Sequence, residues 1–92
     1  MRAVYDFCQD GASGPPPPEL EGAFMVKQYG AGAVFGRTMR IREMRTLSAA
    51  LSVWDAWHAR ARYRDKDGDK NYAEWAERNP APNKILNEAR YG

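Results

Sequence analysis

Apolar residues recur at three- and four-residue intervals in the second half of the chain, and this repeat limits the possible folds more than any other pattern. It is carried by Leu47, Ala50, Leu51, Trp54, Trp57 or His58, and Ala61. Because an α-helix has 3.6 residues per turn, such spacing predicts an amphipathic helix with one face on a core. Thr46 or Ser48 can cap its first turn. We expect this main helix over residues 46–64.

The region before this helix, residues 2–44, has the pattern of short strands. Residues 2–8 alternate between two sets of side chains and predict a first strand. Residues 23–29 and 33–44 predict two more, joined by a hairpin, because the glycines between them can take the positive φ of a tight turn.

A proline-rich loop separates the first expected strand from the second. Residues 9–22 include the run Pro15 to Pro18, and proline has no N–H to donate to a sheet ladder. We expect an exposed, stiff connection with a short polyproline-II stretch.

Residues 65–92 predict a polar loop followed by short helices. Asn71 can cap the first of these, with Glu74 at the capping-box position. The order of elements predicts one α+β domain over residues 1–92. In it, a small three-stranded antiparallel sheet is covered by one long amphipathic helix and followed by one or two short C-terminal helices.

The composition excludes several classes of protein. The chain has 92 residues, of which 43% are hydrophobic, so it is too apolar for a wholly disordered protein and too short for a large enzyme fold. It has no apolar run of about 20 residues that could span a bilayer. Its first residues lack the apolar core of a signal peptide, and Cys8 has no second cysteine to pair with. We expect a cytoplasmic protein that does not contact membranes.

The arginines are concentrated in the middle of the chain. The formal net charge is only +2, yet residues 37–64 hold seven arginines, no lysine and two acids. The planar guanidinium of arginine binds phosphates and carboxylates with two parallel hydrogen bonds. A solvated basic face explains any one of these arginines, but seven together favour a binding surface.

Nine residues are candidates for contact with a partner. In the expected third strand, Arg40 and Arg42 would project from the same sheet surface, about 7 Å apart. Exposed tryptophan beside arginine is typical of protein interfaces and also of surfaces that stack unpaired bases. The full set is Arg37, Arg40, Arg42, Arg45, Arg60, Arg62, Arg64, Trp57 and Trp75.

The segment Asp65–Glu77 resembles the front of an EF-hand calcium loop. Oxygen-bearing residues occupy relative positions 1, 3, 5 and 7 of that pattern, and they are Asp65, Asp67, Asp69 and Asn71. The sequence departs from the pattern at Lys70, where the family has glycine, and at Ala76, where it has a bidentate glutamate. We therefore favour a polar loop between helices over a metal site.

The sequence contains no convincing set of catalytic groups. Asp55 and His58 are one helical turn apart, but His58 lies on the side of the main helix that bears the tryptophans, where a lone histidine is more often packed than catalytic. One histidine cannot build a zinc site. We expect a protein that is not an enzyme and needs no cofactor.

The short chain with an arginine-rich centre resembles the small phage-encoded anti-CRISPR inhibitors. The arginines that carry this resemblance of type are Arg37, Arg40, Arg42, Arg45, Arg60, Arg62 and Arg64. The resemblance implies an inhibitor that docks on a host protein or protein–RNA defence complex, such as CRISPR effector proteins with their guide RNA, and blocks target nucleic acid.

Two other functions stay open. The chain could be a free-standing nucleic-acid-binding protein, whose affinity would fall steeply with salt. It could also be a single EF-hand-like calcium-binding module, which calcium would stabilise against unfolding.

Overall fold

The structure, a computed structural model, describes residues 1–30 and 40–91, and all the regular secondary structure in those residues is helical. The helices are α1 (Arg2–Gln9), α2 (Pro18–Tyr29), α3 (Ile41–Arg62), α4 (Tyr72–Arg78) and α5 (Pro80–Tyr91). The long α3 is the central element, because α1, α2 and α5 each pack against it.

The predicted α+β fold with a three-stranded sheet is wrong, since no residue in the described ranges forms a strand. The expected first strand is α1, which buries Val4, Tyr5 and Cys8. Val4 and Cys8 are four residues apart and share a helical face. A segment of seven residues fits both the period of 2 of a strand and the period of 3.6 of a helix. Here the packing of the segment on α3 and α5 favours the helix.

The expected second strand belongs to α2, which begins inside the predicted loop, at Pro18. Proline suits the first position of a helix because its φ is already helical and its missing N–H would have no partner there. Glu19 and Glu21 follow in the first turn, where the helix dipole favours acids. Gly30, with a φ of 87°, ends the helix.

The expected third strand lies partly outside the described residues. In its last part, Arg40 is the N-cap of α3 and residues 41–44 form the first turn of that helix. The Glu43 carboxylate accepts a 2.9 Å hydrogen bond from the Arg40 backbone N–H, as in one half of a capping box. The helix therefore begins at Ile41 rather than near residue 46. Arg40 and Arg42 do not project side by side from a sheet.

Two helical predictions are confirmed. The main helix expected over residues 46–64 is present to Arg62. Asn71 caps α4, because its side chain accepts a 3.1 Å hydrogen bond from the Glu74 backbone N–H.

The core surrounds the middle of α3 and takes residues from all five described helices. Its buried members are Val4, Tyr5, Leu20, Ala50, Val53, Ala56, Trp75, Leu86 and Ala89. The molecule measures 49 × 26 × 23 Å, and its long dimension reflects the length of α3, about 33 Å at 1.5 Å per residue.

The contacts between α2 and α3 advance along both helices in the same order. Pro18 lines a cavity with Arg42. Further along, a Cβ at Gly22 would lie 3.3 Å from Leu47 Cδ2, and the ring of Phe24 is 5.2 Å from that of Trp54. The two helices thus point the same way, and only the start of α2 lies near the first turns of α3.

Candidate partner-binding surface

The candidate arginines in the described residues form two separate groups on α3 and its flanks. We call Arg40, Arg42 and Arg45 the N-terminal arginine group, and Arg60, Arg62 and Arg64 the C-terminal arginine group. Arg42 and Arg62 are 20 residues apart, which is about 30 Å along a helix. Within one chain the two groups therefore do not form a single surface. Arg37 lies outside the described residues.

The three residues of the N-terminal arginine group are exposed. The ion pairs found within residues 1–30 and 40–91 involve Arg2, Arg78 and Lys84 instead. Cations at the N-terminus of a helix lie at the positive end of its dipole, which is unfavourable. The helix dipole therefore gives no stabilising reason for Arg40 at the cap or Arg42 in the first turn.

Exposed apolar side chains lie among these arginines. Ile41 is 69% exposed and Met44 is 47% exposed, and they lie one turn apart on the same side of α3 as Arg45. Methionine and arginine are both enriched in protein interfaces. Ile41 and Met44 fall in the expected third strand and are not among the nine candidate residues, although their spacing continues the helical repeat upstream.

The C-terminal arginine group is largely explained by contacts within the chain. The Arg60 guanidinium lies 5.9 Å from the ring centre of Tyr5 and 5.2 Å from that of Tyr72, and Arg64 donates a 3.1 Å hydrogen bond to the Gly68 carbonyl. Cations are also favoured at the C-terminal end of a helix. Of this group, Arg62 is the exposed arginine for which the described residues show no such contact.

The two candidate tryptophans face inward to different degrees. Trp75 is 3% exposed and belongs to the core, so a partner has no access to its indole. Trp57 is half-buried, and its Nε1 donates a 2.8 Å hydrogen bond to Gln9 Oε1. Of the pair, only Trp57 has surface left for a partner.

The candidate calcium loop is organised by one aspartate. Asp65 Oδ1 accepts hydrogen bonds from the backbone N–H groups of Asp67, at 2.9 Å, and Asp69, at 3.0 Å. The Asp65 N–H in turn donates to the Asp69 carbonyl at 2.8 Å. Across the described part of the chain, no three His, Cys, Asp or Glu side chains are grouped so as to hold a metal ion.

The potential catalytic side chains have structural partners. Cys8 is 2% exposed, and burial raises the pKa of its thiol to about 11, which disfavours the nucleophilic thiolate. His58 Nδ1 lies 2.8 Å from the Trp54 carbonyl, and its ring is 4.2 Å from that of Trp54. This matches a packed histidine.

A polar cavity of about 260 Å³ lies beside the loop after α3. Partial burial and the nearby Glu74 carboxylate raise the pKa of Tyr63 at its edge. Arg78 in the same cavity pairs with Glu74 at 2.8 Å. The acidic and basic side chains around this cavity balance each other in charge. The cavity therefore favours neither anionic nor cationic ligands.

Comparison with known protein families, with curated proteins and with solved structures found no match for this chain. Among the described helices, none combines the length and the apolar character needed to cross a membrane.

Proposed function

We propose that this protein is a non-catalytic binding protein that docks on an anionic surface of a host protein–RNA complex through the N-terminal arginine group. The observation that carries the proposal is the exposure of Arg40 and Arg42 at the N-terminal end of α3, where the helix dipole disfavours cations, with Arg45 exposed one turn further along. Guanidinium groups placed there are available for phosphate or carboxylate oxygens of a partner.

The exposed apolar residues of the same turns favour a partner that contains protein. Ile41 and Met44 add apolar area that a phosphate backbone alone would not cover. A protein surface with an apolar depression and anionic groups around it matches both features. An inhibitor of anti-CRISPR type that blocks the target-binding surface of such a complex is the specific form of this proposal.

The test is capture of a complex from bacterial lysate by the tagged protein, with and without nuclease, followed by an assay of the captured complex. The informative variant is Arg40→Glu/Arg42→Glu. The matched control is Lys66→Glu/Lys70→Glu, which makes the same charge change on exposed residues of the loop after α3. Circular dichroism verifies that both variants are folded.

We expect the wild type and the lysine control to recover one protein–RNA complex that survives nuclease and loses target binding when the purified protein is added. The arginine variant should recover at least about tenfold less, because charge reversal replaces attraction by repulsion. Equal recovery by the arginine variant would contradict the proposal. Recovery that disappears with nuclease, with affinity falling steeply in salt, would show direct nucleic-acid binding instead.

A further inference from the structure

The outward face of α3 carries a regular series of positions that extends beyond the arginine group. We call this series the α3 seam: Ile41, Arg45, Ser48, Ser52, Asp55 and Ala59. Its members are spaced alternately four and three residues apart, which is the spacing of the contact positions in paired helices. All are exposed except Ala59, which is half-buried.

We propose that a second copy of this chain covers the α3 seam, with the two α3 helices antiparallel about a two-fold axis at the level of Ala50. In that register Ile41 lies opposite Ala59 of the second copy, and Ser48 lies opposite its Ser52. Arg45 lies opposite Asp55 of the second copy. Two-fold symmetry repeats each of these contacts, so the surface complements itself.

Charge complementarity supports this occupant. Arg45 and Asp55 are ten residues apart in α3, about 15 Å along the axis, so they cannot pair within one chain. The ion pairs seen among residues 1–30 and 40–91 involve neither of them. Antiparallel pairing brings each against the opposite charge of the other copy, and it does so twice.

The shape of the seam also fits a copy of itself. Its centre consists of Ser48 and Ser52, whose small side chains let two helix axes approach closely. Ile41, 69% exposed, lies at one end. Near the other end a groove between α3 and α5, with a cavity of about 310 Å³, is lined by Asp55, Ala59, Ile85 and neighbouring residues. The exposed isoleucine of one copy thus has an apolar groove in the other.

The pairing covers Ile41 and Arg45, so in the dimer the docking surface of the proposed function consists of Arg40, Arg42 and Met44, and this consequence rests on the proposed function. Arg40 of one copy comes to the level of Arg60 of the second, so each end of the dimer carries arginines from both copies. The dimer itself is tested on the isolated protein, so its failure and the failure of the proposed docking are separate results.

The test is sedimentation of the purified protein over a micromolar to millimolar concentration range, with charge reversals at the pair. We expect wild-type protein to convert from one chain to two with a micromolar dissociation constant, because the interface is small. Asp55→Arg and Arg45→Asp should each weaken association at least about tenfold. The exchange Arg45→Asp/Asp55→Arg should restore it to within about threefold of wild type.

Glu77→Arg is the matched control, since Glu77 is exposed on α4 outside the seam and the charge change equals that of Asp55→Arg. It should leave the dissociation constant unchanged. Ile41→Ser tests the apolar contact independently of charge and should also weaken the dimer. A wild-type protein that stays a single chain to millimolar concentration, or an exchange that restores nothing, would overturn the proposal.

Discussion

The indole Nε1 of Trp57 donates a 2.8 Å hydrogen bond to Oε1 of Gln9 and so joins the end of α1 to the C-terminal half of α3. The two residues are 48 positions apart in the chain. On the same side of the molecule the ring of Phe7 stacks on Trp54, with centroids 6.2 Å apart. Together these contacts fix how α1 lies across α3.

Gln9→Ala should lower the free energy of unfolding by about 1 kcal/mol, because it removes the acceptor of the Trp57 indole N–H, although water can replace part of this exposed bond. Urea unfolding followed by tryptophan fluorescence measures this. Gln28→Ala, on the exposed side of α2, is the control and should change stability by less than about 0.5 kcal/mol. Equal effects of the two variants would show that the bond to Trp57 contributes nothing.

Trp75→Ala should destabilise the protein by about 3–5 kcal/mol, because it empties a large volume in the core. Trp75 is 3% exposed, whereas Tyr91 is 75% exposed, so Tyr91→Ala should leave stability within about 0.5 kcal/mol of wild type. Thermal unfolding followed by circular dichroism gives both values. A stable Trp75→Ala protein that had lost partner binding would instead place this indole in an interface.

The sequence predicted the long helix and the cap of α4 because those signals are local and repeated. Leu47 to Ala61 covers about four turns, and Asn71 with Glu74 matches a capping pattern. Residues 2–8 and 23–29 were assigned to strands because segments this short fit a period of 2 and a period of 3.6 alike. Their conformation depends on contacts with α3, which a sequence pattern does not contain.

The candidate site was predictable in composition but not in arrangement. The arginines were identified from the sequence, yet their separation into two groups follows from the start of α3 at Ile41. Periodicity showed that the tryptophans belong to helices, but not that Trp75 packs in the core while Trp57 stays half-buried. Which side of a short helix faces the core is decided by the neighbouring helices.

The free energy of unfolding should fall as the pH rises above 9, because of the Cys8 thiol. The pKa of its thiol is raised from 9.0 to about 11 in the folded chain, so the unfolded chain releases the proton first as pH rises. The contribution of Cys8 is therefore complete below pH 9 and is lost between pH 9 and about 11. From pH 8 to pH 10 the free energy of unfolding falls by about 1 kcal/mol.

Urea unfolding at pH 8 and pH 10 measures this change. The Cys8→Ala variant is the reference, because it has no thiol at position 8 to lose a proton. Tyr63 also has a raised pKa and adds a loss in the same direction at higher pH, which the reference variant retains. The difference between the two proteins is thus the contribution of Cys8. If the free energy of unfolding changed equally with pH in the wild type and in Cys8→Ala, the raised pKa of the Cys8 thiol would be contradicted.

Asp65→Ala should destabilise the loop between α3 and α4, by about 1–2 kcal/mol, because Asp65 Oδ1 accepts two backbone hydrogen bonds. Asp67→Ala is the matched variant. Asp67 contributes its backbone N–H to this turn, which the substitution keeps, so stability should stay within about 0.5 kcal/mol of wild type. Melting temperatures of all three proteins should be the same in millimolar calcium as in EDTA. If calcium raises the melting temperature of the wild type and not of Asp67→Ala, the loop binds the ion through its aspartates, since only a ligand of the folded state stabilises it in this way.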